Sequence, residues 1–462
     1  MSNNNIASIF EAQQNYKLTQ KKTSAAERIA LLRKLQEALP GIQDELIGAL
    51  IKDMGRPVFE SVILEVGMLD HSINEHCENL EEWMKPTLSP SSISPVAKIE
   101  IKDEARGTVL IMGPWNVPFL LVMEPLVATI AAGNCAIVKP ANNTPNVSNL
   151  IAKLIASVFK PEFVTVIQGS VGLTGELLKL PFDHIFFTGS PKVGKIVMKA
   201  AADNLTSVTL ELGGKNPFIV DKNTSLKKAA FSLAHKGTIN AGQICLSPDY
   251  ILIDKAQEEE FITELKAAIN EMYYVDGVYN KEDSTKIINK ANHERLKDLL
   301  ADAVSKGANV AIGGNYDDSE LRFEPTVLTN VDKDSDIFNT EVFGPIFPII
   351  NYDDLDEVVS IINKKEKALA LYMFSDNEEN VQKILTETSS GGVTINDAMM
   401  QVFESKLPFG GVNSSGMGSY HGVYGFKELT HQKSVLYYPN DEADKTLAPP
   451  FKGKLEAMMA AK

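Results

Sequence analysis

From Thr108 onward, short apolar runs alternate with stretches of helical length. The apolar runs are Thr108–Met112, Cys135–Val138, Val164–Ile167, His184–Phe187 and Val208–Leu212, and the intervening stretches are Pro118–Ala132, Pro145–Phe159, Gly172–Lys179 and Pro191–Ala202. Buried parallel strands read as continuous apolar runs, and each needs a crossover connection, usually a helix. The alternation predicts an α/β fold with a doubly wound parallel sheet, which binds ligands at the carboxyl ends of its strands.

A second α/β pattern follows in the other half of the chain. Its apolar runs are Pro217–Val220, Ile251–Ile253, Leu369–Phe374 and Gly392–Ile395, with helices expected at Glu258–Met272 and Ala291–Val304. The first hundred residues are predicted to be largely helical, with Ser24 and Glu27 spaced as a capping box. The stretch Leu88–Val96, rich in Ser and Pro, is predicted to be a connection. Since 462 residues exceed what one core supports, we expect two α/β domains with smaller additions.

Charge and cysteine content exclude several classes of partner. A formal net charge of −15 repels phosphate backbones and anionic lipid, so we expect no nucleic-acid partner and no membrane anchor. Three cysteines cannot form a disulfide framework. The N-terminus lacks the pattern of a signal peptide, and prolines and polar residues interrupt the longest apolar stretch. A cytoplasmic location is the expectation, and no metal site is predicted.

The segment Asn240-Ala241-Gly242-Gln243-Ile244-Cys245 places small residues just before a cysteine. Such a turn exposes the thiol, which suits a nucleophile whose pKa is lowered from about 8.5. The alternative is a small buried apolar residue, as expected for Cys77 and Cys135.

Two further segments carry candidate catalytic groups. In Leu210-Glu211-Leu212-Gly213-Gly214-Lys215 a carboxylate lies near the end of a predicted strand. In an apolar mouth, Glu211 has a raised pKa and can take a proton from water; otherwise it is a solvated strand end. In Met112-Gly113-Pro114-Trp115-Asn116, the amide of Asn116 can donate to a developing oxyanion, or Asn116 is only a turn residue.

The segment from Phe187 to Lys195 runs from a strand through Thr188-Gly189-Ser190 into a helix that begins at Pro191. Ser190 is placed to cap that helix. A helix N-terminus at the end of a parallel sheet suits a pyrophosphate, although the segment lacks the G-x-G-x-x-G pattern.

Together these segments resemble the aldehyde dehydrogenase superfamily over most of the chain, from about Arg28 to Tyr438. The matching motifs, in the family's order and spacing, are Gly113-Pro114-Trp115-Asn116, Phe187-Thr188-Gly189-Ser190, Glu211-Leu212-Gly213-Gly214-Lys215, Gly242-Gln243-Ile244-Cys245 and Glu341-Val342-Phe343-Gly344-Pro345. The ending Leu407-Pro408-Phe409-Gly410-Gly411-Val412, with Ser419-Tyr420-His421-Gly422 after it, resembles the class 3 branch of fatty-aldehyde and coniferyl-aldehyde dehydrogenases.

The resemblance implies a role for each matching residue. Cys245 attacks the aldehyde, Asn116 and the Cys245 backbone N–H hold the oxyanion, and Glu211 activates the water that hydrolyses the thioester. Glu341 binds the nicotinamide ribose, Phe343 packs beside it, and Lys139 reaches the adenosine ribose. The residues implied in binding NAD or NADP are Trp115, Lys139, Asn142, Thr188, Gly189, Ser190, Gly194, Leu212, Glu341 and Phe343.

The implied architecture is α/β, with a Rossmann-like cofactor domain, a second α/β catalytic domain and a small bridging or oligomerisation element. We assign residues 1–81 and 104–212 to the cofactor domain and residues 213–396 to the catalytic domain. Residues 82–103 and 397–440 form the bridging element, which pairs subunits into a homodimer, and residues 441–462 form a tail.

Two positions depart from the family's usual pattern. Val117 stands where relatives often have tyrosine, and Asn142 stands where many have glutamate. A glutamate there repels the extra phosphate of NADP, so Asn142 predicts that NADP is accepted at least as well as NAD. The alternative is that Asn142 only caps the helix expected to begin near Thr144–Pro145 and faces away from the cofactor. The branch and Val117 favour a medium to long aliphatic or aromatic aldehyde.

Two alternative functions remain open on the sequence alone. A CoA-acylating dehydrogenase passes its thioester to a thiol and needs no carboxylate such as Glu211. A structural or binding protein that uses the same fold needs none of Cys245, Glu211 and Asn116.

Overall fold

The computed structural model describes residues 3–92, 97–438 and 448–460. Its N-terminal part is helical, as expected, with helices Asn3–Lys21, Ala25–Ala38, Gln43–Met54, Val58–Ser61 and Met68–Trp83, a 3₁₀ turn Pro40–Ile42 and a π-helical stretch Val62–Gly67. The predicted capping box is confirmed: the Ser24 hydroxyl accepts from the Glu27 N–H, and the Glu27 carboxylate accepts from the Ser24 N–H at 2.8 Å. The first of these helices contacts the sheet that follows, and the longer ones after it pack against that sheet's connecting helices.

A six-stranded sheet contains all five strands predicted from the first apolar runs. In spatial order its strands are Gly416–Met417, Ser207–Glu211, His184–Thr188, Thr108–Met112, Cys135–Lys139 and Val164–Val166. Only Gly416–Met417 runs antiparallel to its neighbour. The connecting helices are Leu120–Ala131, Pro145–Val158, Val171–Leu177 and Pro191–Ala202. The register places Thr188 opposite Glu211, which brings two candidate site residues to the same edge.

A seven-stranded sheet forms the second half. In spatial order its strands are Asn309–Ile312, Thr326–Thr329, Ile346–Tyr352, Tyr250–Asp254, Pro217–Val220, Ala368–Phe374 and Ser390–Ile395, and only the first pair is antiparallel. Its longer helices are Leu226–Lys236, Glu258–Tyr273, Lys290–Ser305, Leu355–Asn363 and Glu378–Glu387. The sequence patterns missed Ile346–Tyr352, because Pro348 interrupts its apolar run and proline argues against a central strand.

The remaining elements of the second half are short. They are the helices Asp336–Asn339 and Gly422–Glu428, the 3₁₀ turns Ile239–Gly242, Lys255–Gln257, Lys281–Asp283 and Met400–Phe403, and the two-residue strand pairs Tyr274–Val275 with Val278–Tyr279 and Tyr316–Asp317 with Arg322–Phe323. Among the described residues, no helix combines the length and apolar composition that crossing a bilayer requires.

A separate antiparallel sheet joins distant parts of the chain. Its strands are Thr87–Pro90, Lys98–Ala105 and Thr430–Tyr437, and the last two pair over their full length. The prediction of a connection at Leu88–Val96 is therefore wrong for Leu88–Pro90, where Pro90 is tolerated because its strand is an edge strand; residues 93–96 lie outside the described ranges. The predicted tail contains the helix Lys454–Ala460, whereas residues 439–447 are not described.

Candidate active site

Cys245 follows a tight left-handed turn. Asn240, Ala241 and Gly242 have φ angles of 54°, 54° and 70° in succession. Alanine rarely adopts this conformation, which costs it of order 1–3 kcal/mol, whereas asparagine tolerates it better. At Gly242 a Cβ would lie 2.5 Å from the Gly344 carbonyl oxygen, so glycine is required there. The turn therefore depends on contacts from the surrounding structure.

Gln243 supplies part of that support from a fully buried side chain. Its amide nitrogen donates to the carbonyls of Asn240 and Lys286, each at 2.9 Å, and its amide oxygen accepts from the Ile288 N–H at 3.0 Å. All these contacts fix the backbone just before the cysteine.

Asn216 supports the other side of the turn. Its amide nitrogen donates to the carbonyls of Cys245 at 2.8 Å and Ser247 at 2.9 Å, while its oxygen accepts from the Ala370 N–H at 2.9 Å. The Cys245 backbone is thereby tied to the central strands of the seven-stranded sheet.

A buried ion pair joins the cysteine turn to the Asn116 loop. Arg56 and Glu65 are in contact at 2.5 Å with both side chains fully buried. The Arg56 guanidinium also donates to the Asn116 carbonyl and, at 2.9 and 3.1 Å, to the Asn240 side-chain oxygen. Sequence reasoning missed both ionic residues, because no local pattern shows that Arg56 is buried.

The Asn116 side chain is buried and lies next to the cysteine turn. Its amide nitrogen donates to the Gln243 carbonyl at 3.0 Å. An amide nitrogen carries two protons, so one holds the turn and the second is left for an oxyanion. Asn116 is therefore more than a turn residue, because its side chain contacts the segment just before Cys245.

Cys245 is partly exposed, whereas Cys77 and Cys135 are buried. Burial, together with the negative charges of Glu211 and Glu341, raises the pKa of the Cys245 thiol to about 12, although nearby backbone N–H groups lower it. The expectation of a lowered thiol pKa is therefore not met by the protein alone, because no cationic side chain is among the groups that act on the sulfur. The thiol must lose its proton in the course of its reaction.

Glu211 is buried at the end of its strand, 3 % exposed, and neither carboxylate oxygen has a hydrogen-bond partner among the described residues. Burial raises the pKa of Glu211 well above its usual value, and the charges of Glu428 and Glu124 add to the rise. Of the two alternatives for Glu211, the structure therefore shows a buried, desolvated carboxylate and not a solvated one at a strand end. A raised pKa of this kind suits a general base.

Two cavities meet at the candidate catalytic residues. The first, about 330 Å³, is lined by Pro114, Trp115, Asn116, Thr188, Gly189, Ser190, Glu211, Leu212, Gly213, Cys245, Asn292, Arg295, Glu341 and Phe343. The second is narrow and mostly apolar, and is lined by Leu64, Met68, Asn116, Val117, Leu120, Leu121, Glu124, Thr188, Glu211, Ile244, Cys245, Leu246, Met399, Val402, Phe403, Phe409, Tyr420 and His421. Asn116, Thr188, Glu211 and Cys245 line both cavities.

The segment Glu341–Phe343 forms one wall of the first cavity and is held by buried groups. Arg295 donates to the Val342 carbonyl at 2.7 Å. Asp249, paired with Lys215, accepts from the Val342 N–H at 2.8 Å. Sequence reasoning missed Arg295 and Asp249, since both act on a segment far away in the chain.

The Glu341 carboxylate projects toward the glycine pair after Glu211. It accepts from the Gly214 N–H at 3.0 Å, and a Cβ on Gly213 would lie 2.3 Å from its Oε1. Burial raises the pKa of Glu341 to about 7. Phe343, also in a left-handed conformation, packs edge-on against Trp115 with ring centroids 5.5 Å apart.

The helix Pro191–Ala202 begins as predicted, with Pro191 in its first turn and Ser190 in the N-cap position. The Ser190 side chain makes no capping hydrogen bond, so that part of the prediction is wrong. Gly189 and Ser190 line the first cavity, whereas Gly194 packs against Leu212, where a Cβ would lie 2.8 Å from the leucine side chain.

Lys139 and Asn142 are not among the residues that line the first cavity. The Lys139 ammonium donates to the Asn142 side-chain oxygen at 2.9 Å and to the Pro140 carbonyl at 2.8 Å. The helix beginning at Pro145 has Thr144 as its N-cap, so Asn142 is not its cap.

The residues around the first cavity fit a nicotinamide dinucleotide. The Thr188 hydroxyl is buried without a partner in the described structure, so it is available to a ligand. The aromatic pair Trp115 and Phe343 offers apolar surface beside the acceptor oxygens of Glu341. Gly189 leads into a helix N-terminus, which favours phosphate.

Comparison with known sequences identifies relatives over nearly the whole chain. The profile of the aldehyde dehydrogenase family matches residues 2–435. Putative aldehyde dehydrogenase AldX of Bacillus subtilis is 43 % identical over 93 % of this chain and 97 % of its own length. The 4,4'-diaponeurosporen-aldehyde dehydrogenase of Staphylococcus aureus is 41 % identical, over 96 % of each chain. The dimeric NADP-preferring aldehyde dehydrogenase of Canis lupus familiaris is 40 % identical, over 93 % and 94 %.

Solved structures of aldehyde dehydrogenases have the same fold as this chain. The substrate-bound state of Staphylococcus aureus AldH superposes with a TM-score of 0.94 and 40 % identity, covering 99 % of both chains. Related structures contain NAD or NADP. The chain belongs to the aldehyde dehydrogenase family and is an NAD(P)-dependent oxidoreductase that acts on aldehydes.

Proposed function

We propose that the enzyme oxidises apolar aldehydes to carboxylic acids through a thioester on Cys245, which water activated by Glu211 hydrolyses. The observation that carries this proposal is the meeting of the two cavities. Cys245, Glu211 and Asn116 line both the cavity that fits the cofactor and the apolar one. An aldehyde in the second cavity therefore lies beside a nucleophile, a base and an amide donor.

In the first half-reaction, Cys245 Sγ bonds to the aldehyde carbon as the thiol gives its proton to solvent water. The carbonyl oxygen becomes an anion, for which the second proton of the Asn116 amide and the Cys245 backbone N–H are donors. NAD or NADP held by Thr188, Glu341 and Phe343 in the first cavity would supply the acceptor for the hydride of this carbon, which would leave a thioester on Cys245.

In the second half-reaction, Glu211 takes a proton from a water molecule while the oxygen of that water attacks the thioester carbon. The Cys245 thiolate leaves and takes up the proton of the new carboxylic acid, which is released as its carboxylate. The raised pKa of Glu211 strengthens it as a base, and its unpartnered oxygens are free to bind the water.

The apolar cavity supports the substrate class. Around Cys245 its lining includes Val117, Leu120, Leu121 and Phe409, which offer no polar group to a short hydrophilic aldehyde. The relative named for 4,4'-diaponeurosporen-aldehyde also fits a long apolar substrate. We expect kcat/KM to rise from short aliphatic to long aliphatic or cinnamyl aldehydes in a panel followed by NAD(P)H formation; a preference for short polar aldehydes would contradict the substrate class.

Glu211 favours hydrolysis over transfer of the acyl group to a thiol. Product analysis with and without CoA separates the two activities. Free carboxylic acid in both cases is the expected result, and acyl-CoA as the main product would overturn the proposal.

The NADP-preferring and dimeric character of the canine relative supports two further assignments. Asn142 is neutral and lies beside Lys139, so no negative charge at this position repels the 2′-phosphate of NADP. NADP is therefore a good cofactor. The three-stranded sheet is the bridging element of a homodimer, between a cofactor domain built on the six-stranded sheet and a catalytic domain built on the seven-stranded sheet.

The nucleophile is tested by Cys245→Ala. Turnover is expected to fall about 10³-fold or more while cofactor binding stays measurable, since the thiol performs the chemistry. Cys77→Ala and Cys135→Ala are matched controls, because both side chains are buried, and should leave the chemical step largely intact. A Cys245 variant with a tenth of wild-type turnover would rule out the assignment.

A further inference from the structure

Besides Cys245, Glu211 and Tyr420, two ionisable side chains line the second cavity, Glu124 and His421. Glu124 is 7 % exposed and His421 is 5 % exposed. The His421 Nε2 is 3.5 Å from the Glu124 Oε2. Placing a carboxylate and an imidazole in such buried positions costs free energy unless they have a function or partners.

The same pair also faces an outer cavity. This cavity of about 260 Å³ is lined by Ile63, Gly67, Met68, His71, Ser72, Glu75, Glu124, Val402, Phe403, Ser405 and His421. Its rim includes the exposed side chains of Ile63, His71 and Phe403, so it opens to solvent. Glu124 and His421 are therefore positioned between Glu211 on the inner side and solvent on the outer side.

Several buried polar atoms around this pair have no hydrogen-bond partner within the described structure. They include both oxygens of Glu211, Glu124 Oε2 and His76 Nε2. Buried groups of this kind are usually satisfied by ordered water when the space is polar and large enough. Water between Glu211 and Glu124 would give a continuous path for a proton.

The backbone holds His421 in an unusual conformation. Its φ is 73°, in a region that costs of order 1–3 kcal/mol for a residue with a side chain. Its ring stacks on Phe409 with centroids 4.9 Å apart and meets the edge of Tyr420 at 4.5 Å. The imidazole is thus fixed in orientation next to Glu124.

We propose that Glu124 and His421 form a proton-exchange pair that returns Glu211 to its basic form between turnovers. The inference rests on the proposed role of Glu211 in hydrolysis. After hydrolysis the Glu211 carboxyl carries one proton. It passes through water to the Glu124 carboxylate, then to the His421 imidazole, and finally to water in the outer cavity, with no electron transferred and no bond to carbon changed.

The charged surroundings favour this route. After burial, the charges of Glu428 and Glu124 are the causes that raise the pKa of Glu211, so Glu124 is close enough to act on it. Glu428 already accepts from the Thr209 hydroxyl at 2.7 Å. His76 and Tyr420 are the other ionisable groups that interact with Glu124, and burial lowers the pKa of His76 and raises that of Tyr420, which keeps both neutral.

The test uses Glu124→Gln and His421→Gln in the full-length enzyme. Rapid mixing with aldehyde and cofactor should show a first-turnover burst of reduced cofactor near one equivalent, as in the wild type, because acylation and hydride transfer do not use the pair. The steady-state kcat at pH 7 should then fall about tenfold, with the aldehyde KM changed less than about twofold. Added imidazole, which can enter the outer cavity, should restore part of kcat.

His71→Gln is the matched control, since His71 lines only the outer cavity and is exposed; it should behave as wild type. Burst amplitude counts folded sites, so a folding defect is recognised as a smaller burst. An unchanged kcat, a raised KM with normal kcat, or a loss of kcat that imidazole cannot relieve would each overturn the proposal. The proposed function is tested separately by two other variants. It fails if Cys245→Ala still turns over or if Glu211→Gln gives no burst of reduced cofactor.

Discussion

At the level of single residues, the site combines a thiol and a carboxylate that are both shifted toward their neutral forms. Burial and the neighbouring carboxylates raise the pKa of Cys245 to about 12, and burial raises that of Glu211. These shifts favour the neutral thiol over the thiolate at Cys245. The protein alone therefore does not store a reactive thiolate.

Replacing Glu211 with glutamine tests whether this residue serves in thioester hydrolysis alone or also takes the proton of the Cys245 thiol. If it serves mainly in hydrolysis, Glu211→Gln should give a burst of reduced cofactor near one equivalent per site and then a steady state about 10²-fold or more below wild type. Rapid-mixing absorbance measures both phases. Acylation that slows as much as hydrolysis would show instead that Glu211 also takes the thiol proton.

The raised pKa of Glu211 also predicts a pH dependence with a definite sign. The carboxylate is the active form, and it is populated only above a pKa that lies well above 4.5. Thioester hydrolysis should therefore speed up as pH rises through that value and lose this dependence in Glu211→Gln. A hydrolysis rate already constant down to pH 5 in the wild type would contradict the assignment.

Asn142 is the residue on which cofactor choice is expected to depend. Introducing a carboxylate with Asn142→Glu places a like charge near the 2′-phosphate of NADP, worth roughly 1–3 kcal/mol, or about five- to 150-fold in relative affinity. The ratio of kcat/KM for NADP and NAD should shift toward NAD by that factor. A strong NAD preference in the wild type that the substitution leaves unchanged would disprove the role of Asn142.

At the level of elements, one buried ion pair positions two loops and a helix. Glu65 accepts from the backbone N–H groups of Phe119 and Leu120, at the start of the helix Leu120–Ala131. Arg56 binds the Asn116 carbonyl and the Asn240 side chain. The distance between Asn116, the proposed oxyanion donor, and Cys245, the proposed nucleophile, therefore depends on residues outside the proposed catalytic group.

Glu65→Gln should be costly for stability because it leaves the Arg56 charge unpaired in the interior, which typically costs about 3–5 kcal/mol. Thermal unfolding should shift to a clearly lower temperature, and kcat/KM should fall as the Asn116 loop moves. Lys85→Gln breaks a pair whose side chains are 66 % and 74 % exposed and serves as the control, with no measurable loss of stability expected. Equal Tm values for the two variants would contradict the positioning role.

At the level of the whole molecule, the candidate active site draws on residues from both halves of the chain, each of which has its own parallel sheet. Thr188 and Glu211 come from the six-stranded sheet, whereas Cys245 lies just before a strand of the seven-stranded sheet. Each half of the chain therefore contributes part of the residues that line the first cavity. Neither sheet contains a complete site. A rearrangement of one sheet against the other would therefore change catalysis as a whole.

The proposed homodimer can be tested on the three-stranded sheet. Leu436 and Tyr438 are 48 % and 50 % exposed in the single chain, an apolar surface suited to a partner. Leu436→Lys should shift the enzyme toward a monomer in analytical ultracentrifugation, because a buried unpaired charge opposes association. Dimers of undiminished stability would exclude this surface as the interface.

The sequence by itself determined the α/β class, the five strands of the first sheet, the capping box at Ser24 and the chemical identity of the groups at Cys245, Glu211 and Asn116. These features are local: apolar runs, cap spacing and small residues in turns are each visible within a few positions.

The tertiary structure alone decided the features that depend on distant contacts. It buried Arg56, paired Lys139 with Asn142, placed Glu124 and His421 between two cavities and raised rather than lowered the pKa of Cys245. The physical reason is that desolvation and charge act through space. Arg56 and Asn240, for example, are 184 positions apart, and only sheet register and helix packing bring them together.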